Sequence, residues 1–125
     1  MPTNKYLGSK ELVLVHSELL NAAKYRGVVT YQELAKLIGL PMTGGYMAGV
    51  LGKILEAIST AETQSGRPML SSIAIGVGGK PGPRFWNLAR ELGKLTSEDE
   101  QSFWENECEA VYDTWKVTLR EKPKE

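Results

Sequence analysis

The segment from Gly27 to Ile58, GVVTYQELAKLIGLPMTGGYMAGVLGKILEAI, constrains the fold more than any other part of the chain. It begins with two β-branched residues that suit a short strand, and it continues with a helix, a turn and a second helix. In Thr30-Tyr31-Gln32-Glu33, the threonine hydroxyl and the glutamate carboxylate can each accept a hydrogen bond from the other residue's backbone N–H, which is a capping box. Gly39 ends the first helix and Pro41 prevents it from resuming. This order predicts a helix-turn-helix.

The second helix of this segment is predicted from about Thr43 to about Glu62, because apolar residues recur at three- and four-residue spacing. Its apolar face comprises Met47, Val50, Leu51, Ile54, Leu55 and Ile58. The helix also has glycine at positions 44, 45, 49 and 52. Each of these costs roughly 1 kcal/mol relative to alanine. Such a cost indicates close approach of the backbone to the preceding helix or to a ligand, and packing is the commoner cause.

Helices and a strand are predicted on both sides of this segment. A helix capped by Ser9 is predicted from Lys10 to about Tyr25, with His16 as a half-exposed histidine beside its apolar stripe. Residues 69–77 are typical of a strand, and the glycines and prolines of 78–83 indicate a turn or a wing-like loop. A short helix follows from Arg84 to Leu92, with Pro83 suited to its first position.

A long C-terminal helix completes the predicted elements. Ser97-Glu98-Asp99-Glu100 predicts a second capping box, and the helix is expected to run to about Arg120. One stripe of this helix contains large apolar residues, namely Trp104, Cys108, Val111 and Trp115. The stripe either packs back across the domain or forms an interface with a protein partner or a second copy of the chain. We favour packing within the chain.

Together these elements predict one α+β domain, mainly helical, with a winged helix-turn-helix core and a long C-terminal helix. Residues 1–8 would form a loose arm, 9–94 the core, 95–120 the C-terminal helix and 121–125 a frayed tail. A chain of 125 residues is long enough to bury a core without disulfides or metals. It contains neither a membrane-length apolar run nor the pattern of a secretory signal, so a cytoplasmic location away from membranes is predicted.

Charge is distributed unevenly along the chain. Residues 1–94 contain eleven Lys and Arg against six Asp and Glu, whereas residues 95–125 contain four against nine. A basic body with an acidic end suits the binding of a polyanion. In winged-helix proteins the second helix of the motif enters the DNA major groove, and the wing touches the backbone or minor groove. The residues expected to serve these roles are Thr43, Tyr46, Gly49, Lys53, Arg67, Lys80 and Arg84.

The sequence offers few residues for catalysis or metal binding. One cysteine, Cys108, and one histidine, His16, fall on different predicted helices and cannot make a disulfide or a Cys/His zinc site. The glycines before Lys80 lack the spacing of a phosphate-binding loop. The acidic run at 98–100 is better explained by helix capping than by a metal site. We therefore predict a protein that is not an enzyme and has no cofactor or metal.

Three stretches, VVTYQELA at 28–35, GLP at 39–41 and AGVL at 48–51, resemble the DNA-binding half of O6-alkylguanine-DNA alkyltransferases and alkyltransferase-like proteins. The resemblance covers about residues 27–52, with a weaker likeness over 68–82. It implies a winged-helix fold that binds DNA. Tyr31 matches the family's tyrosine that acts at the DNA backbone beside a flipped base.

The chain departs from this family at the reactive centre. The Pro-Cys-His-Arg motif is absent, because Pro68 is followed by MLSSIAI. In this family an arginine at the start of the recognition helix fills the gap left by the flipped nucleotide, and Gly45 aligns with that arginine. Tyr46, the next residue, is the only possible substitute. Alkyl transfer is therefore excluded, and the sequence predicts a non-catalytic module that binds nucleic acid, with DNA favoured.

A second family resemblance leaves another function open. The VTY-x-E-L-A motif, followed by Arg67-Pro68-Met69-Leu70-Ser71 and Pro81-Gly82-Pro83-Arg84-Phe85, is similar to small bacterial and phage domains of unassigned activity. Zero net charge and an aromatic, acidic terminal helix also suit a protein-interaction module. The alternative function is thus an adaptor, such as a phage or mobile-element accessory factor.

Overall fold

A computed structural model of the chain describes residues 5–41 and 45–116. Within these ranges, the chain forms five α-helices, one 3₁₀-helix and a sheet of two strands. In chain order the elements are α1 (Lys10–Lys24), β1 (Val29–Thr30), α2 (Tyr31–Leu37), α3 (Gly45–Gln64), the 3₁₀-helix (Leu70–Ile73), β2 (Ala74–Ile75), α4 (Pro83–Glu91) and α5 (Glu100–Trp115). The predicted α+β class, mainly helical, is confirmed. The start of the predicted arm, the last turns of the predicted C-terminal helix and the tail lie outside the described residues.

The main core lies where α1, α3 and α5 pack against the 3₁₀-helix. Leu19 of α1, Ile54 of α3 and Val111 of α5 are fully buried there. Helix α1 begins as predicted, because the Ser9 hydroxyl accepts a hydrogen bond from the Leu12 N–H at 3.1 Å. A second apolar cluster lies under α4 and contains Met69, Phe85, Leu88, Ala89 and Leu95.

The capping box predicted at the start of α2 is present. Thr30 Oγ1 accepts a hydrogen bond from the Glu33 N–H at 3.1 Å, and Glu33 Oε1 accepts one from the Thr30 N–H at 3.0 Å. These bonds begin α2 directly after β1, which makes Tyr31 the first residue of the helix. The cap therefore fixes where the Tyr31 side chain leaves the backbone.

The strand predicted over residues 69–77 is wrong for most of its length. Leu70–Ile73 form the 3₁₀-helix, and only Ala74–Ile75 pair with β1, in parallel. Serine side chains explain the difference, because they bond the backbone of this segment in place of a sheet, one of them locally and one from α3. Ser72 Oγ donates to the Met69 carbonyl at 2.7 Å, and the Ser71 N–H donates to Ser59 Oγ at 3.0 Å.

Two helix ends depart from simple sequence rules. The residue in the left-handed conformation after α1 is Arg26, with φ 58°, although Gly27 follows it. The Arg26 side chain is held by a bidentate ion pair with Glu109. At the start of α5, Asp99 is the cap residue and accepts a hydrogen bond from the Ser102 N–H at 3.0 Å. The capping box predicted to start at Ser97 is therefore wrong.

The glycine-rich segment after β2 forms a tight turn. The Gly76 N–H donates to the Lys80 carbonyl at 2.9 Å, and the Gly79 N–H donates to the Gly76 carbonyl at 3.0 Å. Gly79 has φ 80°, a conformation that side chains rarely adopt. Since β1 and β2 are parallel, no antiparallel pair of strands flanks this turn in the described part of the chain. The winged-helix assignment stays a prediction.

Candidate nucleic-acid interface

The N-terminal half of α3 presents one face to solvent. Gly45, Gly49 and Lys53 share this face because they are spaced by four residues along the helix. Tyr46 lies beside them with 65% of its surface exposed. A Cβ atom added at Gly45 or Gly49 would meet no protein atom within 4 Å. Thr43, the remaining residue predicted for this helix face, lies outside the described residues.

Gly52, further along the same helix, is in contact with Arg84 of α4. A Cβ atom at Gly52 would lie 2.4 Å from Arg84 Nε, so glycine leaves the space in which the arginine crosses α3. The Arg84 guanidinium donates to both carboxylate oxygens of Glu56, from Nε at 2.8 Å and from Nη2 at 3.0 Å. These bonds raise the pKa of Arg84. The neighbour of Gly52 is thus a side chain of α4, whereas the sequence predicted the preceding helix or a ligand.

A pocket of about 180 Å³ opens beside this face of α3. Its lining is mainly apolar and comes from α2, α3, the segment before α4 and α4 itself: Tyr31, Met47, Ala48, Leu51, Gly52, Leu55, Glu56, Ser71, Gly82, Pro83, Arg84, Phe85 and Leu88. The Arg84–Glu56 ion pair therefore belongs both to the pocket and to the exposed face of α3. The two features form one continuous candidate site.

Tyr31 joins α2 to the segment that precedes α4. Its hydroxyl accepts a hydrogen bond from the Gly82 N–H at 2.7 Å. A Cβ atom at Gly76 or Gly82 would lie 3.5 to 3.7 Å from the nearest Tyr31 atom, so both glycines pack against this side chain. Burial raises the pKa of Tyr31, which keeps the phenol protonated. The structure thus brings Tyr31 to the pocket, next to the predicted helix face.

Lys80 lies in different surroundings from the α3 residues. It lines a shallow groove together with Pro81, Trp86 and the acidic residues 98–100 that begin α5. Val77, at the tip of the same glycine-rich turn, is 96% exposed. The turn therefore offers one cation beside carboxylates and one exposed apolar side chain, a less basic surface than the sequence predicted.

Arg67 is not part of this site. It pairs with Glu62, and its guanidinium lies 5.7 Å from the centre of the Trp115 ring. About 25 Å of helix separates Glu62 from Gly45 at the start of α3. Arg67 therefore lies apart from the exposed face of α3, beside the end of α5, and a nucleic-acid contact at this residue stays a prediction.

Glutamates neutralise the arginines of the described ranges. Each of the four pairs with a glutamate, in the pairs Arg26–Glu109, Arg67–Glu62, Arg84–Glu56 and Arg90–Glu100. Two of these pairs join residues 28 and 83 positions apart in the chain. Neither local spacing nor net charge could have revealed them. Positive charge without a paired carboxylate is thus scarcer than the count of basic residues suggested.

The aromatic stripe of α5 packs inward, as we favoured. Trp104 Nε1 donates to the Ser72 carbonyl at 2.8 Å, and Cys108 Sγ makes a weak hydrogen bond with the same carbonyl at 3.4 Å. Val111 is fully buried, and Trp115 packs against the main core. A protein interface or homodimer through these four residues stays a prediction, but their own chain covers much of their surface.

Cys108 and His16 lie in unrelated environments. Burial, followed by the charges of neighbouring glutamates, raises the pKa of Cys108 to about 12. A thiol with such a pKa carries little of the reactive thiolate at neutral pH. His16 is half-exposed on α1, where its Nε2 lies 3.7 Å from Glu62 Oε1. In the part of the chain that the structure describes, no three His, Cys, Asp or Glu residues group closely enough to hold a metal ion.

The site also contains residues to which the sequence analysis assigned no role in binding. Glu56 of α3 lines the pocket together with Gly82 and Phe85 at the start of α4, a segment distant from α3 in the chain. The glycine at position 52 was the one local signal, because its helix cost pointed to a close neighbour.

Within the described ranges, no helix has the length and apolar composition needed to cross a membrane. Comparison with protein families, curated proteins and solved structures gave no match.

Proposed function

We propose that the protein is a non-catalytic module that binds nucleic acid, with DNA favoured. In this proposal the exposed N-terminal half of α3 is the recognition helix, and the turn at residues 76–80 is the wing of a winged helix. Tyr46 and Lys53 would contact the nucleic acid from α3, and Lys80 from the turn. A helix with a free polar face is the element that such domains insert into the major groove.

The observation that carries the proposal is the open space at Gly45 and Gly49. Both glycines weaken α3, and no neighbouring protein atom lies where their Cβ atoms would be. Gly52 differs, because Arg84 occupies that space. A ligand with an extended backbone, such as a phosphodiester chain, needs this kind of bare helix surface for close approach. We therefore attribute these two glycines to close approach of a ligand and not to internal packing.

The pocket supports an additional feature of this binding. Its volume of about 180 Å³ and its apolar wall next to Tyr31 suit one planar base better than a folded peptide segment. Proteins that take a base out of the helix surround it with apolar and aromatic side chains, and unpairing costs least at a mismatch. We therefore expect tighter binding to a mismatched duplex than to a matched one.

The expected affinity is low. Lys53, Lys80 and Arg84 could neutralise at most three phosphates, and each contact changes the slope of log K against log salt by about −0.9. Acidic residues lie beside two of these cations. Binding should therefore be measured at low salt, where a small number of phosphate contacts is sufficient for detection.

The test compares two substitutions that place the same side chain, leucine, on two different helices. Gly49→Leu fills the bare surface of α3, whereas Ser17→Leu places a leucine on the exposed side of α1. Fluorescence anisotropy with matched and mismatched short duplexes at low salt measures affinity, and urea unfolding measures stability. Gly49→Leu should stabilise the helix by somewhat less than 1 kcal/mol, since glycine is replaced. It should nevertheless weaken DNA binding by about tenfold or more, a loss of roughly 1.4 kcal/mol.

Two results would contradict the proposal. One is an absent or salt-insensitive response of the wild-type protein to both duplexes. The other is an equal effect of Gly49→Leu and Ser17→Leu on affinity, because that would remove the reason for the bare glycine surface.

An adaptor that binds another protein is the alternative, and one observation favours it. Tyr46 of α3 and Val77 of the glycine-rich turn are exposed hydrophobic residues, and the pocket beside α3 is mainly apolar, while the described arginines pair with glutamates. Replacing Lys53 and Lys80 by glutamate separates the two functions. Nucleic-acid binding should be lost in this double variant, whereas an interaction based on the apolar residues should persist.

A further inference from the structure

The Arg84–Glu56 pair has a position that distinguishes it from an ordinary surface ion pair. Arg84 begins its path on the first turn of α4 and crosses α3 at Gly52, where any larger residue would meet its guanidinium. It ends on Glu56, which accepts two hydrogen bonds from it. The glycine thus brings a cation from another element onto the candidate interface.

The pair lies on the functional side of α3. Glu56 follows Lys53 by three residues and Gly49 by seven, so all three lie on one side of the helix. Glu56 is the first acidic residue of this helix. The Glu56 carboxylate would repel an approaching phosphate. In the structure it also accepts the hydrogen bonds that the Arg84 guanidinium would otherwise donate to that phosphate.

Exchange of Glu56 for a phosphate is physically feasible. Both side chains are partly exposed, at 47% for Arg84 and 30% for Glu56. Exposed ion pairs contribute little to stability, so breaking one costs little. A phosphate offers arginine the same two-point, charge-assisted geometry that the carboxylate offers. The stem of Arg84 would remain in contact with α3 during the exchange.

We propose that Arg84 is an anion site of the interface and that Glu56 occupies it until a phosphodiester displaces the carboxylate. Glu56 then lowers affinity for polyanions in general, because every phosphate must compete with it. This assignment rests on the proposed nucleic-acid function, which it deepens by naming the contact and the residue that limits it. The ligand chemistry is a phosphodiester group in a nucleic-acid backbone.

The test removes the competing charge while keeping the shape of the side chain. Glu56→Gln should raise the affinity for a matched short duplex at low salt by about tenfold, as expected for one charge-assisted hydrogen-bonded contact. It should also steepen the dependence of log K on log salt by about 0.9. Arg84→Gln should weaken binding, and the double variant Glu56→Gln with Arg84→Gln should lose the gain.

The chain provides a matched control in the Arg26–Glu109 pair. Both oxygens of Glu109 accept hydrogen bonds in this pair, from the single nitrogen Nη2 of Arg26 at 2.9 and 2.7 Å, and the pair is more exposed than Arg84–Glu56. Glu109→Gln changes net charge by the same amount as Glu56→Gln, so both variants share any long-range effect of charge. The expected change in affinity for Glu109→Gln is less than about twofold, because Arg26 lies away from α3.

Retention on a heparin column and the ¹⁵Nε resonance of Arg84 provide readouts that do not need duplex binding. Equal gains from Glu56→Gln and Glu109→Gln, or a gain that persists in the double variant, would overturn the role of Arg84 while leaving the proposed function intact. Selective heparin retention of Glu56→Gln, with an Arg84 resonance shift but no duplex binding, would support the anion site and overturn the nucleic-acid function. If no variant binds either polyanion, both proposals are overturned.

Discussion

At the scale of single residues, Glu107 joins three segments through one buried carboxylate. It lies in the acidic run ENECE of α5, where the sequence alone indicates solvent exposure. In the folded chain it is 8% exposed and accepts a hydrogen bond from the Met69 N–H at 2.8 Å. It also forms an ion pair with Lys94, which follows α4. A carboxylate in this position is stabilising only while both partners remain in place.

Replacing Glu107 by alanine should lower the free energy of unfolding by about 3 kcal/mol. The reason is that the variant leaves a buried N–H and a partly buried ammonium group without their acceptor. Urea denaturation followed by circular dichroism measures the change. Glu109→Ala is the control, since its pair with Arg26 is exposed and should contribute less than about 1 kcal/mol. Similar losses in the two variants would show that Glu107 is not a buried linking residue.

At the scale of secondary-structure elements, the helix caps decide where α2 and α5 begin. Helix α2 has seven residues, too few to be stable without its cap and its tertiary packing. Thr30→Ala should lower the free energy of unfolding by about 1 kcal/mol, and Asp99→Ala should lower it as well, because each removes an acceptor for a helix N–H. Ser97→Ala should change it by less than about 0.5 kcal/mol, since Ser97 Oγ bonds only the N–H of the cap residue.

The same caps make a prediction about pH. Backbone N–H groups lower the pKa of Glu33 and of Asp99 below their ordinary values of 4.5 and 3.8. A carboxylate whose pKa is lower in the folded state contributes stability above its unfolded pKa and loses it as pH falls through the folded value. Stability measured below pH 4.5 should therefore fall less steeply in Glu33→Gln and Asp99→Ala than in the wild-type protein, because each variant lacks the carboxylate that titrates. A steeper fall in either variant would contradict the assigned caps.

At the scale of the whole molecule, α5 closes the main core by packing against the 3₁₀-helix and α1. Trp104→Ala should lower the free energy of unfolding by about 3 kcal/mol, because it removes a large core side chain and leaves the Ser72 carbonyl without its indole donor. The unfolding midpoint of the wild-type protein and that of Trp104→Ala should both be independent of protein concentration. If the stripe instead joined two copies, the wild-type midpoint would rise with concentration. Tyr25→Ala, at a residue 72% exposed, serves as the control.

Features that depend on neighbours within about four residues were predictable from the sequence alone. Ser9 and Thr30 start their helices as predicted, Pro83 takes the first position of α4, and Gly93 ends it with φ 75°. The apolar stripes of α3 and α5 also face the core as their spacing indicated. These features follow from local hydrogen bonding and from the 3.6-residue period, which any reader of the sequence can apply.

Contacts between distant residues were not predictable from the sequence. A 3₁₀-helix takes the place of part of a predicted strand, because Ser59 reaches Ser71 from another element. The tertiary structure also accounts for two arginines. It places Arg67 apart from the exposed face of α3 and brings Arg84 across Gly52 onto Glu56. Each of these outcomes depends on the packing of one element against another, and the energy of such contacts leaves no periodic trace in the chain. Local chemistry therefore specified the helices of this protein, while packing between them specified its candidate site.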